Sequence, residues 1–270
     1  MVHFLYDGSW QGLLTAIYQA YCSPKEPDRI LAEGDPQSEL FVENIPIVTD
    51  MDLAEKVSQS ARQKISPLAW RQALNAFLSE ETEVGTMIYR YWQYGWRIGR
   101  DLDRHLEDAR VRAIHQLADK VTKESHRMKG LLRFQQVEGQ PPFLYAPYSP
   151  DNNITGLVAP HFARRLSNEK WIIHDLKRGL AAFYNQKEWL ITDFQPELLP
   201  QPNQLEVAWQ NLWQTYYRHL AIEERYNPRL QRRNMPMRYW QFLVETHPQE
   251  YLFKDINRQI LPVGASKNKV

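Results

Sequence analysis

The sequence predicts an α+β protein in which strands and helices are largely segregated along the chain. Residues 1–65 alternate short apolar runs with helical patterns, residues 66–128 are helical in pattern, and residues 129–263 contain five strand-like runs around one helix. We therefore expect a small N-terminal α/β unit and a helical bundle over residues 1–128, and an antiparallel sheet with a packed helix and C-terminal helices over residues 129–263. Residues 264–270 are polar and basic, which predicts a disordered tail.

The opening segment predicts a β-helix-β-β arrangement. A short apolar strand over residues 3–6 precedes Ser9, which can cap a helix with apolar residues at helical spacing. Strands are expected over residues 29–33 and 39–49, and Asp50 or Asp52 can cap the helix that follows. Cys22 lies late in the first helix, where we expect a buried thiol because free cysteine is usually buried.

The middle of the chain predicts helices that pack as a small bundle. Ser66 followed by proline is typical of a helix start. Helical patterns then cover residues 68–78, 83–99 and 104–126. The basic residues of this region alternate with acidic ones, which indicates a solvated face rather than a binding surface.

The second half predicts a sheet. Five strand-like runs cover residues 130–139, 142–149, 171–175, 179–185 and 188–194. A helix over residues 154–166 lies between the second and third runs, and hairpin-length turns separate the last three. We therefore expect an antiparallel sheet with one helix packed across it. Four aromatic residues of these runs are candidates for stacking on unpaired bases or for core packing: Tyr145, Tyr148, Phe183 and Tyr184.

The last predicted helix leads into an arginine-rich segment. Prolines at positions 196, 200 and 202 predict an extended linker, and Asn203 can cap the helix. The apolar face of that helix consists of Leu205, Trp209, Leu212, Trp213, Tyr216 and Leu220. Residues 225–238, which we call the arginine corner, then contain no acid and five arginines: Arg225, Arg229, Arg232, Arg233 and Arg238.

The arginine corner predicts an anion-binding surface. Arg229, Arg232 and Arg233 have helical i, i+3 and i+4 spacing, so one helix face would carry all three guanidiniums. Pro236 cannot extend that turn because it lacks an N–H. Arginine makes forked contacts to phosphate or carboxylate, which favours a phosphate-backbone site. The alternative is that these arginines pair with structural carboxylates such as Glu206, Glu223, Glu224 and Glu245.

Two smaller clusters contain the remaining candidate residues. His161 lies beside Arg164 and Arg165 on the helix of the sheet region, and these two arginines could assist the arginine corner. His174 and Asp175 end a strand and precede Lys177 and Arg178, two further basic residues that could also assist the arginine corner in binding phosphates.

The candidates for catalysis are few. His161, His174, Asp175 and Asp151 could act as acids or bases, but His174 and Asp175 are strand neighbours whose side chains point to opposite faces. The sequence has no dinucleotide-binding, Walker A, zinc-protease or nucleophile-elbow motif, so we expect no cofactor and no metal site.

Composition and charge limit the choice of partners. The net charge of +1 creates no overall field, so nucleic-acid binding must depend on local patches. The N-terminus has no secretion-signal pattern and no apolar run approaches a membrane span. We therefore expect a cytoplasmic protein without membrane contact.

Several stretches resemble a bacterial family associated with DNA metabolism and DNA repair that contains a domain of unknown function. They are FLYDGSWQGLLTAIYQAY, GLLRF with YAPYSPDNNI, PHFARRL, and LAIEERYNPRLQRRNMPMRYW. The resemblance extends from residue 4 to about residue 243. The family is encoded beside a radical-SAM protein and is sometimes fused to a uracil-DNA-glycosylase-like domain. The resemblance implies a nucleic-acid context and a radical-SAM partner. It implies no active site.

These observations lead to three hypotheses. The first is a DNA-repair accessory protein that binds DNA through the arginine corner and presents it to a radical-SAM enzyme. The second is a stand-alone nuclease or base-removing hydrolase that uses the histidines and aspartates named above. The third is a protein-interaction scaffold whose Trp and Tyr surfaces bind the radical-SAM subunit without binding DNA.

Overall fold

A computed structural model describes residues 1–34, 42–137, 142–196, 204–220, 222–225 and 227–246 of the chain. It is an α+β structure, as predicted. Its contacts divide into two units, Met1–Lys123 and Glu124–Val270. The expected turn at Gly139, the prolines at positions 200 and 202, the cap at Asn203 and the tail over residues 264–270 lie outside the described residues.

The first unit contains a parallel three-stranded sheet. Strand β1 (Val2–Tyr6) lies in the centre, between β2 (Arg29–Ala32) and β3 (Glu43–Pro46). Helix α1 (Trp10–Cys22) follows β1, and the Ser9 hydroxyl caps it by accepting a hydrogen bond from the Gly12 amide at 2.9 Å. The β-helix-β-β prediction is therefore confirmed for the described residues.

The prediction of a buried Cys22 is wrong, because the thiol is exposed. Cys22 is the last residue of α1 and lies two positions after the buried Ala20. Two positions correspond to about 200° around a helix, so the two side chains point in opposite directions.

The helices of the first unit follow the sheet. They are α2 (Met51–Ser60), a π-helical turn (Ala61–Ile65), α3 (Pro67–Phe77), α4 (Val84–Ile98), a 3-10 helix (Gly99–Arg104) and α5 (Ala109–Leu131). Helix α5 begins later than predicted because Asp108 supports its start, accepting a hydrogen bond from the Arg110 amide at 2.8 Å. The same helix continues to Leu131, so the strand predicted to begin at residue 130 is shorter.

Close packing joins α4 to the sheet and to α1. A Cβ on Gly85 would lie 2.6 Å from the carbonyl oxygen of Ile30, so glycine permits the approach of α4 to β2. Trp92 of α4 is fully buried and meets the ring of Trp10 edge-on, with 5.9 Å between the ring centroids. The core of this unit therefore combines residues from the start of the chain, such as Trp10, with residues of α4, such as Trp92.

The second unit contains a mixed five-stranded sheet. Its strands are β4 (Gln135–Val137), β5 (Phe143–Tyr148), β6 (Trp171–Asp175), β7 (Leu180–Tyr184) and β8 (Trp189–Asp193), adjacent in that order. All neighbouring strands are antiparallel except β5 and β6, which are parallel. The expectation of a purely antiparallel sheet is therefore wrong. Helix α6 (Thr155–Arg165) connects β5 to β6 and returns the chain to the same end of the sheet, which is how parallel neighbours are joined.

Both faces of this sheet are covered near its centre. Tyr145, Tyr148 and Tyr184 are buried, and Phe183 is half-buried. Tyr145 packs with Phe242 on one face, whereas Tyr148 faces the start of α6 on the other. These three tyrosines therefore belong to the core, and their proposed role as a surface for stacking bases is wrong.

The C-terminal part continues from α7 (Gln204–Leu220) through a 3-10 turn (Glu223–Arg225) to α8 (Pro228–Asn234) and a final 3-10 helix (Met237–Phe242). The predicted break at Pro236 is confirmed, since α8 ends before it and a tighter helix begins after it. Across the described ranges, each helix is too short or too polar to cross a membrane.

Candidate functional site

The parallel pair β5 and β6 places two loops at one edge of the second sheet. Residues 149–154 follow β5 and residues 176–179 follow β6, and the carboxyl ends of parallel strands are a common place for functional sites. We call the polar residues gathered there the loop cluster. It consists of Glu124, Asp151, Asn152, Asp175, Lys177, Arg178, Arg238 and Tyr239.

Glu124 of α5 is a buried carboxylate that anchors the first loop. Its oxygens accept hydrogen bonds from the amides of Asp151 at 2.8 Å and Asn152 at 2.9 Å, and from the Asn152 side chain at 2.5 Å. The hydroxyl of Tyr239 also donates to it. Burial alone would raise the pKa of Glu124, but the bonds from Tyr239, Asp151 and Asn152 outweigh burial and hold the pKa below its usual value.

Asp175 and Arg178 form a buried ion pair at the end of β6. The guanidinium nitrogen lies 2.8 Å from the carboxylate oxygen, and the side chains are 8% and 0% exposed. Burial raises the pKa of Asp175, and the pairing with Arg178 opposes that effect only in part. Arg178 also donates to the carbonyl of Asp151 at 2.9 Å, as does the ammonium of Lys177 at 2.8 Å. Both cations therefore bind the backbone of the β5 loop.

Arg238 joins the arginine corner to the same loop. Its guanidinium lies 2.6 Å from a carboxylate oxygen of Asp151 and 4.8 Å from the centre of the Tyr239 ring. About half of each side chain of the ion pair is exposed. Arg238, Arg178 and Lys177 thus have partners within the protein. For these three residues the contacts favour the alternative that the basic side chains are structural.

The two candidate histidines lie apart from the loop cluster. His174 is buried on the face of β6 opposite to Asp175, and its Nδ1 lies 2.7 Å from the hydroxyl of Tyr145. Burial lowers the pKa of His174 to about 4, against a smaller opposing effect from the backbone of Phe194. The prediction that His174 and Asp175 face opposite ways is confirmed, and His174 is neutral near pH 7.

His161 occupies the middle of α6. Its Nε2 atom is buried and has no hydrogen-bond partner among the described residues. Burial, followed by the charges of Lys129, Arg165 and Arg164, lowers the pKa of this imidazole. Arg164 and Arg165 lie exposed in the last turn of the helix. Among the described residues, no hydrogen bond or ion pair joins His161 to His174, Asp151 or Asp175.

The four remaining arginines of the arginine corner are exposed. They have no ion-pair partner within the described ranges, and the Nε of Arg232 donates only to the carbonyl of Pro228, at 3.2 Å. These residues are Arg225, Arg229, Arg232 and Arg233. Helix α8 starts at an Asn227 cap, whose side chain accepts the Leu230 amide at 3.0 Å. The predicted helical spacing of its three arginines is therefore confirmed.

A cavity of about 780 Å³ lies behind α8. At 100° per residue, Leu230, Gln231 and Asn234 point to the side of α8 opposite to its arginines. These three side chains face the cavity, whose walls also include Tyr217, Leu220, Ile222, Arg225, Trp240 and Glu245. The indole N–H of Trp240 donates to the carbonyl of Met235 at 2.8 Å, which fixes this ring.

Helix α7 turns its apolar face to solvent. The six apolar residues predicted to share that face are between 44% and 69% exposed. The inward side instead carries Glu206, Gln210 and Gln214, at i, i+4 and i+8. Glu206 accepts the Gln136 amide at 3.0 Å, Gln210 is buried and donates to Glu206, and Gln214 donates to the Val244 carbonyl at 2.9 Å.

The sequence pointed to the arginines but not to Glu124, Tyr239 or the cavity. Glu124 is one of several acids on an amphipathic helix, and only the tertiary fold brings it to the β5 loop. Tyr239 directly follows the arginine corner, beside Trp240, and no local pattern distinguishes it. Within the part of the chain that the structure describes, no group of three or more His, Cys, Asp or Glu side chains is arranged to hold a metal ion.

The comparisons with known proteins give one match. A family model described as a domain of unknown function, DUF4130, matches residues 82–245, which is more than half of the chain and includes the loop cluster and the arginine corner. No curated protein and no solved structure matches the chain. The chain therefore belongs to the DUF4130 family, a domain of unknown function.

Proposed function

We propose that the protein binds nucleic acid through Arg225 and the arginine face of α8. The observation that carries this proposal is the set of four exposed arginines that lack ion-pair partners among the described residues. A phosphate backbone presents charges that arginine side chains can bind in forked geometry. Because the overall charge is near zero, such a local patch is where electrostatic binding would occur.

The ion pairs of three other arginines in the same unit support the proposal. Arg133 pairs with Glu245 at 2.5 Å, Arg178 pairs with Asp175, and Arg238 pairs with Asp151. Three arginines of this unit are thus matched by carboxylates, whereas those of α8 have no such partner among the described residues. An unmatched, exposed cluster of this kind is available to an external anion.

The proposal is tested by fluorescence-anisotropy titration with single-stranded and double-stranded DNA at low salt. The variant carrying Arg229→Ala, Arg232→Ala and Arg233→Ala should bind up to about a thousandfold more weakly, since each lost charge-assisted contact weakens binding about tenfold. The matched control replaces three exposed arginines of the first unit, Arg97, Arg100 and Arg112, with alanine. Equal losses in the two variants would reduce the effect to net charge and would contradict a local site.

The role as a DNA-repair accessory protein rests on the family resemblance. In that role the protein would present DNA to a radical-SAM enzyme that performs the chemistry. The hydrolase alternative receives less support, because His174 is buried and neutral and Asp175 is paired with Arg178. Incubation of the purified protein with labelled DNA separates the two, since strand cleavage or base release without a partner would favour the enzyme.

The solvent-exposed apolar face of α7 favours a second candidate function, the docking of a protein partner. Monomeric proteins rarely expose a continuous apolar face, and such faces are typical of interaction sites. Co-expression with the radical-SAM protein that the resemblance implies, followed by size-exclusion chromatography, tests this candidate. Trp209→Glu with Leu212→Glu should abolish co-elution, whereas Asn211→Glu, on another side of the same helix, should not. Co-elution that survives both changes would exclude α7 as the docking face.

A further inference from the structure

We propose that the cavity behind α8 binds one unpaired nucleobase of a single strand whose adjoining phosphate is held by Arg225 at the cavity wall. This inference rests on the proposed function, and it adds the class of ligand: single-stranded nucleic acid held by a base as well as by its backbone. A base within a duplex is stacked and paired, so only an unpaired base can enter such a cavity.

The walls of the cavity suit a flat, apolar ring. Tyr217 and Trp240 supply aromatic surface, and Leu220, Ile222 and Leu230 supply aliphatic surface. Base-binding proteins use aromatic side chains for this purpose because every base has a face on which a ring can stack. The volume of about 780 Å³ also lies within the range of small-molecule sites.

Two amide side chains supply the hydrogen bonds that a base edge requires. Gln231 and Asn234 face the cavity, and neither side-chain amide has a hydrogen-bond partner among the described residues. An amide presents both donors and an acceptor, which matches the mixed edge of a nucleobase. A purely apolar ligand would make no use of these two amides.

The charges of the cavity suit a ligand that carries phosphate. Arg225 is exposed, lies at the cavity wall and is the last residue of the 3-10 turn that leads to α8. Glu245 also lines the cavity, but Arg133 neutralises it at 2.5 Å. Burial alone would raise the pKa of Glu245, but the hydrogen bond from Arg133 outweighs burial and lowers the pKa. The carboxylate is therefore ionised at neutral pH and the ion pair persists. Among the described residues that line the cavity, the free charge is therefore positive.

An abasic oligonucleotide tests the inference. It has the same phosphates as an ordinary single strand of equal length but no bases. The wild-type protein should bind it about tenfold or more weakly than the ordinary strand, because one base stacked on aromatic side chains accounts for that factor. Equal affinity for the two strands would overturn the base-binding cavity and leave the phosphate site intact. Failure to bind either strand while duplex DNA is bound would also overturn the base-binding cavity, and failure to bind all three would contradict the proposed function itself.

Substitutions in the cavity then locate the preference. The double variant Gln231→Ala and Asn234→Ala should lose most of the preference for the ordinary strand and keep the wild-type salt dependence, since no phosphate contact is removed. The matched control is Gln241→Ala with Asn168→Ala, two exposed amides outside the cavity. A preference that persists in the cavity variant, or that disappears equally in the control, would contradict the assignment to this cavity.

Discussion

Glu124 and Asp175 show how one unit holds two buried carboxylates in different ways. Glu124 accepts hydrogen bonds from two backbone amides, an asparagine and a tyrosine, and its pKa is lowered despite burial. Asp175 has an arginine partner, yet burial raises its pKa. Their common effect is to hold the loops after β5 and β6, so these residues support the architecture of the candidate site.

We expect Glu124→Gln to reduce the free energy of unfolding by about 2 kcal/mol near pH 7, because the new amide turns a donor toward existing donors. The lowered pKa means that the wild-type contribution is present above the usual pKa of 4.5 and is lost as the pH falls through the folded-state value. The difference between the unfolding free energies of wild type and Glu124→Gln should therefore become smaller only at acidic pH. Urea denaturation at several pH values measures it.

The control for this substitution is Asp119→Asn on the same helix. Asp119 makes an exposed pair with Lys123 at 3.2 Å, and surface pairs contribute little. We expect a change within about 0.5 kcal/mol. If the control and Glu124→Gln lose equal stability, the anchoring role of Glu124 is wrong.

The buried imidazole of His174 predicts a second pH dependence of the free energy of unfolding, and its origin is a lowered histidine pKa. Its folded-state pKa of about 4 lies below the usual 6.5, so the unfolded chain binds a proton at a higher pH than the folded one. Stability should therefore decrease as the pH falls from about 6.5 to about 4, by about 3 kcal/mol at most. His174→Asn cannot titrate, and the difference between its unfolding free energy and that of wild type should change over this window.

The comparison isolates His174 because the other titrating groups are present in both proteins. Asp175 contributes in the opposite direction, since a raised carboxyl pKa favours stability in acid, but it contributes equally to each protein. Parallel stability curves for wild type and His174→Asn over this range would show that the imidazole is not buried as described.

At the scale of elements, α7 departs most from ordinary globular packing. Its Glu206, Gln210 and Gln214 face inward while its aromatic and aliphatic residues face solvent. A surface helix usually does the reverse. The exposed face therefore contributes little to the stability of the unit, which leaves it available for a partner.

We expect Trp209→Gln on α7 to change the free energy of unfolding by no more than about 0.5 kcal/mol, because the indole is 66% exposed. Phe242→Ala should instead cost about 3 to 5 kcal/mol, since that ring is buried against Tyr145 and Val137. Thermal and urea unfolding compare the two. A large loss in Trp209→Gln would mean that α7 packs through its apolar face.

Local patterns predicted the elements better than their pairing. The strands at β6, β7 and β8 and the helix between β5 and β6 follow from hydrophobic period and turn residues. The parallel pairing of β5 with β6 depends on where that helix returns the chain, which period does not encode. In the same way, the spacing of α7 identified its apolar face but not the direction in which that face points.

At the scale of the whole molecule, the family match begins inside the first unit. Residues 82–123 supply Ile88 and Trp92 to a core that also needs Trp10, Leu13 and Ile17 from outside the matched range. The start of the matched range is therefore not a structural boundary in this chain.

A fragment containing only residues 82–245 should fold poorly in its first forty residues. Removing residues 1–81 exposes the apolar face that Trp92 shares with Trp10. We expect stronger binding of an apolar dye such as ANS and a broader thermal transition than for the whole chain. A fragment that melts as sharply as the whole chain, without dye binding, would show that α4 does not need the N-terminal sheet.

The candidate site could be predicted only in part, because the ion pair of one of its arginines joins residues that are far apart in the sequence. The sequence shows five arginines without an acid between them, but the partner of Arg238 is Asp151, which lies far away along the chain. Counting charges therefore cannot separate a structural arginine from a free one. The tertiary fold makes that distinction, and it reduces the five-arginine prediction to the four arginines that have no ion pair with the residues the structure describes.

The most direct test of the central claim is the salt dependence of DNA binding by wild type and by the Arg229→Ala, Arg232→Ala, Arg233→Ala variant. If these arginines hold phosphates, the slope of log K against log salt should fall by about 2 to 3 in the variant, since each phosphate contact contributes about 0.7 to 0.9. The Arg97, Arg100 and Arg112 control should retain the wild-type slope. An identical slope in the α8 variant would show that its arginines do not contact the backbone, and would contradict the proposed function.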